Sequence, residues 1–152
     1  MTRGRQGFTF VELLMAMTIV GILSAVVVPK FTEMKRRATA TQILGDFGVM
    51  RHAAMTFYVD SGYFPREAPG GELPANLATY LPAGFEMQKQ GWSMDYENWT
   101  MTTGTVFTNT GVAIGVSFTI PDERLGHTAM KLVGNAPAFT VGTKYTFLIS
   151  GY

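Results

Sequence analysis

The strongest constraint on this chain is a run of 21 residues, Phe8 to Val28, in which the only ionisable side chain is Glu12. As a helix rising about 1.5 Å per residue, it is long enough to cross the roughly 30 Å hydrocarbon core of a bilayer. A cleaved secretory signal has an apolar core of about 7–15 residues and then a small-x-small site. This run is longer, and no Ala-x-Ala stands at its end. A core helix of a soluble domain needs one apolar face, whereas this segment is apolar on every side. The residues therefore predict a membrane-spanning helix over 8–28, behind a short leader that carries Arg3 and Arg5.

The charge deficit of the whole chain has the same origin. Only 15% of the 152 residues are charged, against about 25% in an average soluble domain. Net charge is +1, so bulk electrostatics give no reason to expect a nucleic-acid binder. There are no cysteines, which excludes disulfides, thiolate chemistry and Cys-based zinc sites.

Glu12 requires an explanation. A carboxylate at mid-membrane costs roughly 2.5–3.5 kcal/mol, and less when it lies about one turn inside the boundary, as here. Two readings are open on the residues alone. Glu12 is an interfacial carboxylate that reaches the headgroups and favours the positive end of the helix, or it is held for a cation on a partner.

The stretch Gly7-Phe8-Thr9-Phe10-Val11-Glu12-Leu13-Leu14, behind a basic leader and ahead of an uninterrupted apolar run, resembles the processing and assembly motif of type IV pilins and type II secretion pseudopilins. The resemblance covers about the first third of the chain. It implies that a prepilin peptidase cuts between Gly7 and Phe8 and methylates the new amine on Phe8. It also implies that Glu12, the fifth residue after the cut, pairs with the amine of a neighbouring subunit during assembly, which supplies the missing cation. The implied partners are the peptidase, other copies and other pilin-like subunits, an inner-membrane assembly platform and membrane lipid. The implied location is the bacterial inner membrane, single-pass with the C-terminal domain in the periplasm, and then a pilus or pseudopilus filament. Orientation rests on the resemblance. Lys30, Lys35, Arg36 and Arg37 lie beyond the span against two leader arginines, so the charge flanks lean the other way. Loss of the leader would turn the net charge from +1 to −1.

Gly21 and Pro29 interrupt an otherwise long helical pattern. Proline removes a backbone donor and clashes with the preceding turn, so a kink is expected where the helix leaves the membrane. Pilins often carry glycine and proline at these offsets, and the resemblance implies a weak span that melts in the filament. Over 29–59 the pattern becomes amphipathic. Ile43, Phe47, Met50, Ala54 and Phe57 share one helical face, and Phe31, Met34 and Ala38 begin a similar stripe. Lys35-Arg36-Arg37 reads as a solvated face or a headgroup anchor. Asp60-Ser61-Gly62 ends the helix.

Residues 60–98 are dense in Pro and Gly and read as a connecting loop, with one helical turn near Ala75–Tyr80. Residues 99–152 read as an antiparallel sheet. Two strands, Trp99–Phe107 and Val112–Ile120, flank an Asn109-Thr110-Gly111 turn. A short helix over 121–133 starts with Pro121 in its first turn and stops at Gly134. The last pair, Ala138–Val141 and Lys144–Ile149, closes around Gly142-Thr143. The expected fold is α+β and pilin-like: a long N-terminal helix packed on a four-stranded antiparallel sheet.

Catalytic and metal signatures are not found. His52 and His127 have no ligand-spaced neighbour, and Asp95-Tyr96-Glu97 and Asp122-Glu123 lack the alternating oxygens of a calcium loop. Some major pseudopilins hold calcium in a C-terminal loop, and no matching acidic cluster is present. Trp92, Tyr96 and Trp99 read as core or sheet-face residues. No enzyme, cofactor or metal is expected. The function expected is a structural pilus or pseudopilus subunit. The alternative is a low-copy minor subunit that binds DNA, a secretion substrate or a surface.

Overall fold

The computed structural model describes residues 7–100 and 112–150. The leader residues before Gly7, the Asn109-Thr110-Gly111 turn and most of the strand expected up to Phe107 lie outside the described residues. The chain divides into two units, 1–36 and 37–152.

Helix α1, Phe10–Ser61, contains 52 residues and includes both Gly21 and Pro29. Its end follows from local chemistry. Gly62 adopts φ 79°, a left-handed conformation that glycine reaches without a Cβ clash, and its N–H donates to the Tyr58 carbonyl at 2.8 Å.

In the unit 37–152, the stripe Ile43, Phe47, Met50, Ala54 and Phe57 is buried as its spacing predicts, joined by Ala40 and Ala53. It packs on a five-stranded antiparallel sheet of order β1-β2-β3-β5-β4. The strands are β1 (Gln88–Lys89), β2 (Trp92–Thr100), β3 (Val112–Thr119), β4 (Ala138–Val141) and β5 (Lys144–Ser150). Met94 and Tyr96 from β2, Val116 and Phe118 from β3, and Tyr145 and Phe147 from β5 face α1. Phe147 meets Phe47 at 5.4 Å between ring centroids. Each fully buried large apolar side chain in this layer contributes about 1.5–3 kcal/mol.

Three expectations are corrected. The sheet has five strands rather than four, because Gln88–Lys89 forms a short edge turned by Gly91 at φ 90°. The first long strand begins at Trp92 rather than Trp99. Trp92, Met94 and Tyr96 alternate inward while Ser93, Asp95 and Glu97 face the other side, a period of two inside a stretch read as loop. The stripe begun by Phe31 and Met34 does not continue the core. Both are exposed, at 66% and 67%.

The single turn in the connecting segment is a 3-10 helix, Ala78–Tyr80. Helix α2 runs Glu123–Val133. Its N-cap is Asp122, whose Oδ1 accepts from the N–H groups of Arg124 and Leu125 at 3.0 and 3.3 Å. Pro121 therefore precedes the cap instead of opening the first turn. Gly126 is required where α2 crosses the sheet, since a Cβ there would lie 2.1 Å from the Tyr145 ring. The closing hairpin pairs Val141 with Lys144 across Gly142-Thr143 as expected, with β5 one residue longer.

Candidate functional site: the N-terminal helix and its start

Gly7, Phe8 and Thr9 precede α1, and Phe8 is 85% exposed. Thr9 caps the helix. Its N–H and hydroxyl donate to Glu12 Oε2 at 2.9 and 3.0 Å, and the Glu12 N–H donates back to Thr9 Oγ1 at 3.3 Å. This reciprocal pattern is a capping box, which satisfies donors that a helix start otherwise leaves without partners. The signal, Thr-x-x-Glu, stands in the sequence. The apolar surroundings of Glu12 point to the membrane, whereas its hydrogen bonds run to Thr9.

From Phe10 the helix is apolar and long enough to span a bilayer, and none of its most apolar window is buried within the chain. Gly21 has no atom within 4 Å of an added Cβ. Pro29 has no N–H to donate, so one helical hydrogen bond, to the Ala25 carbonyl, is missing there. Thr18 and Thr32 turn their hydroxyls back onto the Leu14 and Val28 carbonyls at 2.8 and 3.0 Å, which hides two polar groups in the apolar stretch.

A second cluster of polar groups lies on the sheet face opposite α1. Lys144 Nζ is 2.5 Å from Glu97 Oε1 and 3.9 Å from Asp95 Oδ2. The hydrogen bond to Glu97 is the main cause that raises the Lys144 pKa above the usual lysine range. Asp95 Oδ1 also accepts the Gly71 N–H at 3.2 Å, and the Asn98 amide donates to the Pro65 carbonyl at 2.6 Å, so the segment 65–71 is clipped to the edge of β2. Asp95 and Glu97 thus face a lysine. Among the described residues no three His, Cys, Asp or Glu side chains gather as a metal site. Trp92 and Tyr96 are core residues, while Trp99 lies on the opposite face against Phe139, 6.1 Å away. His52 and His127 are both exposed, and the His127 ring meets Tyr145 edge-on at 6.2 Å.

A capped, largely apolar helix that leads into a sheet-packed amphipathic helix is a pilin-like fold. Residues 2–28 match the family described as the prokaryotic N-terminal methylation motif. The chain is similar to the type II secretion system core protein G of Escherichia coli strain K12, with 25% identity over 91 residues, 60% of this chain and 63% of the relative. It is also similar to the type IV major pilin protein PilE1 of Neisseria gonorrhoeae, with 31% identity over 67 residues, 44% of this chain and 31% of the relative. In fold it resembles the major type IV pilin PilA1 of Clostridium difficile, with a TM-score of 0.50 and 13% identity over 75% of this chain and 96% of that one. The chain thus carries an N-terminal match to the methylation-motif family and is similar to both a type II secretion core protein and a type IV pilin, spanning less than two thirds of the length of either relative.

Proposed function

We propose that this chain is a structural subunit of a type IV pilus or a type II secretion pseudopilus. A prepilin peptidase cuts it between Gly7 and Phe8 and methylates the Phe8 amine. Residues 8–28 hold it in the inner membrane, with the domain from 37 onward in the periplasm, until it packs against other pilin-like subunits on an assembly platform. The observation that carries this reading is the apolar start of α1, capped at once behind Gly7-Phe8 and unburied within its own chain. Lipid and neighbouring helices are both apolar surroundings, so assembly exchanges one for the other with little loss of hydrophobic free energy. Glu12 pairs with the Phe8 amine of a neighbour and sets the axial register. The span from Gly21 to Pro29 is a weak segment that melts as subunits pack.

The test is the intact mass of the membrane-bound protein made with and without a prepilin peptidase. The expected change is loss of residues 1–7 and gain of one methyl group. A mature N-terminus at any other position overturns the reading. Gly7→Ala is expected to insert normally and to be cut poorly. An unbroken helix from Gly21 to Pro29 in filaments would remove the weak-segment assignment and leave the rest intact.

A further inference from the structure

Helix α1 carries a second regular line of residues besides the one that packs on the sheet. Phe31, Met34, Ala38, Thr41, Gly45 and Gly48 follow one another at spacings of 3, 4, 3, 4 and 3. All six are exposed. Alternation of 3 and 4 keeps residues on one line along a helix, the seam on which the helices of a coiled coil meet. At about 100° per residue, Gly45 and Gly48 stand roughly 200° from the buried Phe47 and Met50, so this seam lies opposite the core stripe. The Thr41 hydroxyl donates to the Arg37 carbonyl at 3.0 Å, so the one polar group in the line is satisfied within the helix.

The seam is bulky at one end and empty at the other. An added Cβ at Gly45 or Gly48 meets nothing within 4 Å, so packing inside the chain requires neither glycine, and only proline suits a helix interior less. Between these glycines and Tyr80-Leu81-Pro82 runs an open, largely apolar groove of about 520 Å³, with room for the side chains of a Phe and a Met. Phe31 and Met34 are large apolar residues beyond the span 8–28 that their own chain leaves exposed. Both features lie on one helix, so a chain cannot seat its own Phe31 in its own groove. A shift of two heptads, 14 residues, sets Phe31 of one copy opposite Gly45 of another, Met34 opposite Gly48 and Ala38 opposite His52. Charge agrees with this pairing. Segment 30–37 has a net charge of +3, four basic residues less Glu33, whereas segment 72–86, which walls the groove, has Glu72 and Glu86 and no basic residue.

We propose that the groove between Gly45, Gly48 and Tyr80-Leu81-Pro82 receives Phe31 and Met34 of a second copy of this chain, which lies parallel to the first and is displaced by two heptads, about 21 Å. The proposal rests on the reading of the chain as a filament subunit and adds a contact to it. Glu12 and the Phe8 amine lie four residues apart, so they join a different pair of neighbours from this one. One copy gives the bulky residues and the other the groove, so the contact is heterologous and repeats along a row instead of closing on a pair. Two side chains in one groove bury less than the roughly 1,000 Å² of a stable soluble pair, so the contact forms where a membrane or filament already aligns the helices.

The chain contains no cysteine, so Ala38→Cys with His52→Cys supplies a reporter pair at this displacement and leaves Phe31, Met34, Gly45 and Gly48 in place. The full chain is made with a prepilin peptidase and oxidised in isolated membranes. A ladder of disulfide-linked dimers, trimers and longer oligomers is expected. Gly45→Leu with Gly48→Leu in the same background fills the groove and is expected to abolish the ladder. Phe31→Ala is expected to reduce it, and Phe31→Ala with Gly45→Phe to restore it, a rescue that disruption of the helix would not give. Dimers alone, the product of an antiparallel pair, overturn the proposal. Dimers from Ala38→Cys by itself in equal yield overturn it in favour of an in-register pair. A ladder unchanged in the leucine variant shows that the groove is not the contact, and no ladder at all shows that a second copy is not its occupant. Protein that is cut after Gly7 and retained in alkaline carbonate but gives no ladder overturns only this contact, whereas protein left uncut or released by carbonate overturns the subunit reading itself.

Discussion

The Thr9 N–H and hydroxyl both donate to one oxygen of Glu12, at 2.9 and 3.0 Å, so the carboxylate is engaged before any neighbour arrives. A partner amine that approaches Glu12 competes with a cap or uses the second oxygen. The two roles can be separated by substitution. Thr9→Val removes the hydroxyl and is expected to cost about 0.5–2 kcal/mol at the helix start, seen as faster amide exchange at Val11 and Glu12. Filament incorporation is expected to stay near normal in that variant. Glu12→Gln keeps an acceptor for the cap and loses the charge, and incorporation is expected to fall. Glu12→Ala is expected to lose both while processing and insertion continue. Equal incorporation defects in Thr9→Val and Glu12→Ala would assign Glu12 to the cap alone.

Two helical glycines predict opposite stability changes. Gly48 lies on the exposed face of α1 with nothing within 4 Å of an added Cβ, so Gly48→Ala is expected to stabilise by about 0.5–1 kcal/mol. Gly126 has the Tyr145 ring where its Cβ would stand. Gly126→Ala must displace either α2 or a buried ring, and is expected to cost about 1–3 kcal/mol or more. Urea unfolding of the full chain in detergent would read both.

The Lys144–Glu97 pair is asymmetric: the glutamate side chain is 6% exposed and the lysine 44%. Lys144→Gln leaves a buried carboxylate without its cation and is expected to cost about 1–3 kcal/mol, whereas Glu97→Gln leaves only a part-exposed ammonium and costs less. Combined, the two substitutions are expected to recover much of the loss, giving a favourable coupling energy in a double-mutant cycle. Additive losses would show that the pair contributes through packing alone.

At high pH the fold is expected to weaken. The pKa values of Lys144, Tyr80 and Tyr96 are all raised: by the hydrogen bond to Glu97, by the hydrogen bond to Asp60, and by burial, respectively. The folded state therefore favours the protonated forms. Their contribution is whole below the unfolded values, about 10 for tyrosine and 10.4 for lysine, and is lost as pH rises through the folded ones. The urea midpoint is expected to be level up to about pH 9.5 and to fall beyond it. The Tyr96 hydroxyl is buried without a hydrogen-bond partner. Tyr96→Phe is thus expected to be neutral or to stabilise by up to about 1 kcal/mol at pH 7, and to flatten the alkaline decline. A decline as steep in Tyr96→Phe as in the wild type would assign it to the other two groups.

Much of the architecture is legible in side-chain periodicity, because the periodicity records which face is buried. The α1 stripe from Ile43 to Phe57 and the Gly142-Thr143 hairpin are of this kind. Strand β2 was obscured by Asp95, Glu97 and Asn98, whose polarity resembles a loop. They are tolerated in this strand because Lys144, the Gly71 N–H and the Pro65 carbonyl partner them, and all three arrive from distant parts of the chain. Strand β1 is two residues long, too short to show any period. At the N-terminal site the spacing of Thr9 and Glu12 is visible in the sequence, but the direction in which the carboxylate turns is not. Phe31 and Met34 are spaced as a helical stripe and are nonetheless exposed, since spacing alone does not say which stripe a sheet covers.

Among the described residues, every buried apolar residue of the core lies between Ala40 and Ile149. Residues 7–36 supply none of these buried core residues, and the chain divides after Arg36. Thermal or urea melting therefore reports on the part from 37 onward and is blind to the anchoring helix. A substitution among residues 8–28 can abolish assembly and leave the melting curve unchanged, and a weakened core can leave insertion unchanged. Selection can thus act on the anchor and on the sheet independently, with α1 as the covalent connection between them.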